Sequence, residues 1–376
     1  SAIQMRQQRE EAFRQLFFGQ GSTIPILGLR IRREHLIEDS LSELSRYPTE
    51  DLKKELKVYM VGEEAIDEGG VQKEWFQLII KEIFHEKYGM FALNKDSRRY
   101  WFNKNSMEAA NEFQLIGIML GLAIYNGVIL DIHFPHYLYK KLMNPNEPPT
   151  LSDLKEWDPS LGSGLEKLLN FNGDVEEVFS LTFQVEYTFF DEKRTHLLKE
   201  GGDKISVTNE NKKEYVDLYL RYVMDTSVRS QFDAFYKGFK LLCDSPGFEL
   251  FRWEELELLI CGSPNLDFEA LEKSTQYEGF SGKDDPYVKM FWEIVHSFTP
   301  EQKRRLLFFA TGSDRSPIGG LGKLGFVISK HGGDSDRLPS AHTCFNHLLL
   351  PQYSSRDKLQ ERLVTAINNA EGFGML

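Results

Sequence analysis

Leu338-Pro339-Ser340-Ala341-His342-Thr343-Cys344-Phe345-Asn346-His347-Leu348-Leu349-Leu350-Pro351-Gln352-Tyr353 is the stretch on which the reading of this chain turns. It holds one cysteine among side chains that donate and accept hydrogen bonds. Prolines on either side limit any helix, and Phe345 with the three leucines forms an apolar run suited to a short buried strand. Cys344 is therefore expected where a buried strand meets an exposed polar turn. A thiol reacts as its thiolate, which a neighbouring imidazole or donor favours, so His342, Thr343, Asn346 and His347 are candidate tuners. A lone cysteine is also a small buried hydrophobe in many globular chains, and the local residues leave both readings open.

The whole chain bounds the setting of that turn. Its 376 residues suffice for two or three domains with a large core, two lobes being the simplest division. With 41% hydrophobic and 27% charged residues it reads as a folded, soluble chain rather than a disordered one. A net charge of -12 argues against nucleic acid as a partner. Cys243, Cys261 and Cys344 are too few and too far apart for a disulfide framework or a metal knuckle. That points to a reducing compartment, the cytoplasm, with the nucleus as a second location. No secretory signal opens the sequence, and the first residue, Ser1, suggests a piece of a longer protein. The apolar run 113–130 approaches membrane-spanning length. Gln114, Tyr125 and Asn126 within it, glycines 117, 121 and 127, and Asp131 at its end predict a buried central helix instead, so no membrane is expected.

Taken in order, 1–18 reads as an amphipathic helix carrying Ile3, Phe13, Leu16 and Phe17, and 34–47 as a second. Thr49 is placed to cap a short helix running to Leu56, before a strand at 57–61. Asp67-Glu68-Gly69-Gly70 makes a tight turn into a helix bearing Trp75, Phe76, Ile79 and Ile83; no phosphate-loop pattern accompanies those glycines. A hairpin is expected over 89–102, a short helix over 135–143 and a break over 144–149. A less apolar, inserted unit follows, with a helix over 161–170, strands over 182–189 and 204–207, and a helix from 208 or 209 onward. After 252–261 the turn formers Gly262-Ser263-Pro264-Asn265 mark a domain boundary. Beyond it come helices over 286–298 and 299–309, a glycine-rich turn at 319–322, a strand over 324–329, the cysteine stretch, and a last helix capped by Ser354 or Ser355.

Chemistry that uses one thiol narrows the choice. A cysteine phosphatase needs an arginine cradle after the cysteine, and Phe345-Asn346-His347-Leu348-Leu349-Leu350 supplies none. A papain-like hydrolase needs a distant His and Asn and a different cysteine surround, and stands as a weak alternative. An acyl carrier asks for one accessible nucleophile, nearby donors and room for two partners in turn.

The run 338–346 with Leu350-Pro351-Gln352-Tyr353 resembles the signature of HECT-type ubiquitin ligases, as do Asp67-Glu68-Gly69-Gly70-Val71, Leu120-Gly121-Leu122-Ala123-Ile124-Tyr125-Asn126, Thr208-Asn209-Glu210-Asn211, Leu258-Leu259-Ile260-Cys261-Gly262, Phe291-Trp292-Glu293-Ile294-Val295 and Gly319-Gly320-Leu321. The resemblance covers essentially the whole chain. The ending Gly372-Phe373-Gly374-Met375-Leu376 is most like the branch of the Angelman-syndrome ubiquitin ligase. It implies an α+β, bilobal fold: a mainly helical N-lobe over 1–261 with a unit inserted at about 150–235, a hinge at 262–265 built on Gly262, Ser263 and Pro264, and an α/β C-lobe over 266–376. It implies that Cys344 accepts ubiquitin as a thioester from a ubiquitin-conjugating enzyme and passes it to a lysine of a protein substrate, with His342, Thr343 and Phe373 assisting. The conjugating enzyme would dock on an apolar groove including Leu165, Leu169, Ile205, Tyr215 and Tyr219, although Tyr215 and Tyr219 at helical spacing also suit a core. No cofactor or metal is implied. A rival of another class is a binding module of the same fold with a dead cysteine. Two transfer steps ask for a C-lobe that faces two ways, which suits a hinge, and for help in deprotonating the incoming lysine, for which Glu68 or Glu74 are candidates unless each is solvated or salt-bridged.

Overall fold

Apolar residues gather into two separate cores, one drawn from Leu27 through Cys261 and the other from Phe268 through Ile367. The computed structural model describes residues 26–63 and 69–370. The expected helix over 1–18, Asp67, Glu68 and Phe373 lie outside the described residues.

The first core opens with strands β1 (Ile26–Ile31) and β2 (Glu55–Met60), paired in parallel. Leu27, Leu29 and Ile31 alternate inward on one, Leu56, Val58 and Met60 on the other, as the two-residue period of a strand requires. The strand begins at Glu55 rather than 57, and Thr49 starts a 3-10 turn (Thr49–Lys53) instead of capping a longer helix. Helix Leu36–Ser45 links the two strands. Helix Gly70–Ile83 buries Trp75, Phe76, Ile79 and Ile83 and leaves Lys73, Glu74 and Gln77 at its margin. The hairpin β3 (Phe91–Asn94) and β4 (Arg99–Phe102) stacks aromatic rings against it, Phe84 lying 4.7 Å from Phe91.

The apolar run becomes helix Ala110–Asn126, closed by Gly127 in the left-handed conformation. It packs so tightly on helix Arg229–Leu242 that a Cβ on Gly117 would come within 1.9 Å of the Phe235 carbonyl oxygen. Glycine is required there by close backbone approach. Among the described residues no helix is long and apolar enough to cross a membrane. Helices His136–Met143, Leu151–Trp157, Pro159–Asn170, Val175–Phe179 and Lys212–Met224 complete this half. The expected strand over 204–207 is absent. Strand β5 (Gln184–Phe189) pairs instead with β6 (Glu192–Leu197), while the 204–207 segment makes a single bridge, Thr182 to Ser206. Helix Trp253–Cys261 ends the first core.

The segment expected to be a hinge is clipped to the second half by backbone bonds. Gly262 has φ +77, and Ser263 and Ser316 exchange both backbone hydrogen bonds at 2.8 Å. The second half then forms helix Phe268–Ser274 and a four-stranded sheet in the order β7 (Gln276–Glu278), β8 (Val327–Lys330), β10 (His347–Leu350), β9 (Ser340–His342). The first two pairings are parallel and the last antiparallel. Helices Pro286–Ser297, Pro300–Thr311 and Arg356–Asn368 cover the sheet. Their starts follow local chemistry: Asp285 and Ser355 cap with side-chain oxygens, and Thr299 with Gln302 closes a capping box.

Candidate active site

Leu348 and Leu350 anchor β10 in the second core, and the chain reaches that strand from β9 through one 3-10 turn, Thr343–Phe345. Asn346 makes the reversal possible by taking φ +51, a conformation asparagine tolerates better than most residues, and its side-chain Nδ2 donates to the Leu324 carbonyl at 2.8 Å. Cys344 sits within this turn, half-buried. Cys243 and Cys261 are sealed in the first core, where burial pushes both thiols up to about 12. Of the three cysteines, Cys344 alone combines surface access with polar neighbours.

Those neighbours come from the other half of the chain. The turn lies against helix Gly70–Ile83, and three positions on one face of it, Gly70, Lys73 and Gln77, meet the turn in succession. The Phe345 ring occupies the space a side chain on Gly70 would need: a Cβ there would be 2.2 Å from the ring. Lys73 Nζ donates to the Thr343 carbonyl at 2.9 Å and to Asn346 Oδ1, so one ammonium grips the turn before and after Cys344. Gln77 Oε1 accepts from the Thr343 hydroxyl at 3.3 Å and from the Cys344 thiol at 3.8 Å, while its Nε2 donates to the Thr311 carbonyl at 3.3 Å. Burial pushes the Cys344 thiol up and the Glu74 carboxylate adds to this; the Thr343 hydroxyl and the Lys73 ammonium pull the other way. Burial also lowers Lys73 to about 8, with the neighbouring Cys344 opposing that shift.

The imidazoles fall elsewhere. His342 and His347 pair across β9 and β10 with ring centroids 6.0 Å apart. His342 is exposed; His347 turns its Nε2 to Ser329 Oγ, whose hydroxyl donates to Glu278 at 2.6 Å. The thiol's hydrogen bond therefore runs to an amide oxygen rather than to an imidazole, and among the described residues no Cys–His pair of the papain kind is formed. Glu74 is held by Arg33 through two bonds of 2.9 and 3.1 Å, the salt-bridged alternative foreseen for it. Of the groove residues, Leu165 and Tyr215 are buried in the first core, whereas Leu169, Ile205 and Tyr219 are half-buried at its edge. Sequence reasoning missed Lys73 and Gln77. Each stands about 270 positions from the residue it holds, and helical spacing from Gly70 was the one signal linking them. Among the described residues no group of three or more His, Cys, Asp or Glu side chains is arranged to hold a metal ion.

Residues 77–376 match the family model described as HECT-domain (ubiquitin-transferase). The chain is 48% identical over 364 residues to the human probable E3 ubiquitin-protein ligase HECTD2, covering 94% of this chain and 47% of that protein. It is 41% identical over 382 residues to the human probable E3 ubiquitin-protein ligase HERC4, covering 100% of this chain and 36% of that protein. In Schizosaccharomyces pombe the probable E3 ubiquitin-protein ligase mug30 is 36% identical over 393 residues, covering 97% of this chain and 48% of that protein. The chain thus spans about half the length, or less, of these curated relatives. They lend no support to the Angelman-syndrome ligase branch suggested by residues 372–376.

Proposed function

This chain belongs to the HECT-domain family of ubiquitin transferases, and from that premise we propose that it accepts ubiquitin from a ubiquitin-conjugating enzyme as a thioester on Cys344 and passes it to a lysine of a protein substrate. One observation carries the assignment to that residue: Cys344 lies half-exposed on a turn among hydrogen-bonding groups, while the other two thiols are buried and held protonated. The two cores support a division into lobes that meet at 262–265, and the half-buried Leu169, Ile205 and Tyr219 form the accessible edge on which a conjugating enzyme would dock, with Leu165 and Tyr215 supporting it from beneath. Within the family we place the chain with HECTD2- and HERC-type relatives, on the identities given above. Free thiols suit a cytoplasmic or nuclear protein.

The test is to mix the protein with ubiquitin, ubiquitin-activating enzyme, conjugating enzyme and ATP and to look for an adduct on the chain that reducing agent removes. Cys344→Ala abolishes it; Cys243→Ala and Cys261→Ala retain it. An adduct that persists in Cys344→Ala overturns the assignment.

A further inference from the structure

The bonds that Lys73 makes have a property that the thiol's own bond to Gln77 lacks. Acylating Sγ removes the thiol proton and with it the hydrogen bond to Gln77. The Lys73 bonds end on a main-chain carbonyl and a side-chain amide, on either side of Cys344, and do not involve sulfur. They survive when Cys344 carries an acyl group. Loading, by contrast, needs a partner to reach a thiol half-covered by helix Gly70–Ile83, so the grip on the turn does not help it, although the Lys73 charge favours the attacking thiolate.

We propose that Lys73 is a positioning residue for the second half-reaction: it clamps the turn of the loaded Cys344 onto the large lobe and holds a positive charge beside the sulfur that must leave. This rests on the thioester reading above. In that step the free amine of the acceptor lysine attacks the thioester carbonyl, the carbon–sulfur bond breaks, the amide forms, and Cys344 departs as thiolate while the amine's surplus proton passes to solvent. A nearby cation favours the departing thiolate, and two fixed donors hold the turn in one orientation during attack. Among the described residues the titratable group that acts on Lys73 is Cys344; Glu74, next to Lys73 on the helix, is held by Arg33, and on the strands flanking the turn His342 is exposed while His347 is turned to Ser329 and Glu278.

Charge and clamp separate with pH. Burial lowers Lys73 to about 8 against the opposing Cys344, and acylation removes that opposition; the neutral amine still has two N–H groups for Thr343 and Asn346, so rising pH removes the charge while leaving donors in place. Arginine at 73 keeps its charge throughout.

The experiment is a single-turnover measurement on the full chain. Ubiquitin is loaded from a pre-charged conjugating enzyme, that enzyme is quenched, and discharge into free lysine is followed. Lys73→Met is expected to discharge at least about tenfold more slowly while its loading slows by much less, with Lys73→Arg recovering most of the discharge loss at pH 7. The ratio of wild-type to Lys73→Arg discharge rates is expected to fall several-fold between pH 7 and pH 9. Discharge unchanged or faster in Lys73→Met, loading and discharge falling together, or a ratio flat with pH would each overturn the proposal. Absence of any adduct on wild-type Cys344 would instead remove the transferase reading beneath it.

Discussion

Gly70 is occupied from outside: the Phe345 ring fills the place of its missing side chain. The paired glycines preceding Val71 read in the sequence as a tight turn, and Gly69 with φ +100 is one. Gly70 does something the sequence did not disclose, because its partner stands 275 positions away (345 minus 70). Cys344 was legible because its polar setting is local; the residues that touch it from the large lobe were not, because contact at such separation leaves no mark on sequence period. Gly70→Ala tests the contact. Alanine suits a helix better than glycine by about 1 kcal/mol, so the large lobe should not suffer, but the methyl displaces an exposed ring and loosens the cysteine turn. Alkylation of Cys344 by iodoacetamide should become several-fold faster, and the pH midpoint of that reaction should fall, because a thiol raised by burial is returned to water. Removing the displaced ring in Gly70→Ala/Phe345→Ala restores space without restoring cover, so the double variant should stay fast. Wild-type alkylation rates in Gly70→Ala would show that the turn does not rest on Gly70.

Among elements, those whose signal lay in their own residues were legible. The buried helix Ala110–Asn126, the Ser355-capped start of the last helix, and the hairpin of β3 and β4 all follow from local pattern. Strand β6 was not legible: Glu192-Lys193-Arg194-Thr195-His196-Leu197 is exposed throughout and has no alternation to read. Residues 204–207 alternate like a strand, yet Ile205 and Val207 pack on the core while the backbone forms one bridge only. Residues 262–265 carry the most instructive difference. Turn formers announced a break in the chain, but the backbone bonds from Ser263 to Ser316, and that of Arg315 Nη1 to the Gly262 carbonyl at 3.3 Å, join partners 53 positions apart. Proline substitution here has an effect opposite to simple stiffening. Proline cannot adopt φ +77 at 262, and at 263 it deletes the N–H that binds Ser316. Ser263→Pro should therefore loosen this join, costing about 0.5–1.5 kcal/mol for the lost bond and speeding limited proteolysis at 262–265. Gly262→Ala should cost more than about 1 kcal/mol, since a Cβ would be strained by its backbone and 2.5 Å from the Ser316 carbonyl oxygen. Proteolysis slowed by Ser263→Pro would show that the clip does not limit this segment.

At the scale of the whole molecule the question is how strongly the two cores depend on each other. Across the contact run the Lys73 bonds to Thr343 and Asn346 and the Gln77 bonds to Thr311 and to the cysteine turn. Neutral hydrogen bonds contribute about 0.5–1.5 kcal/mol each and charged ones about 1.5–3, so these bonds together contribute at most about 5–10 kcal/mol. The smaller core contributes more. Leu271, Val288, Phe291, Trp292, Ile294, Val295, Leu348, Leu359 and Leu363 are each at most 2% exposed, and burying one such side chain is worth about 1.5–3 kcal/mol before chain entropy is charged against it. None of these residues needs a partner from the larger half, and helices with side-chain caps close the sheet from within its own sequence. Residues 266–376 expressed alone should consequently fold. Trp292 is the single tryptophan in that span, and its Nε1 donates to the Tyr277 hydroxyl at 2.7 Å within the same core, so its emission reports this fold and nothing else. The fragment should show blue-shifted Trp292 emission and one cooperative thermal transition, within about 10 °C of the temperature at which the same core melts in the full chain. Water-like emission with no cooperative melt would mean that the second core is completed by the first, and that the few bonds around Cys344 hold far more of the molecule together than their individual strengths allow.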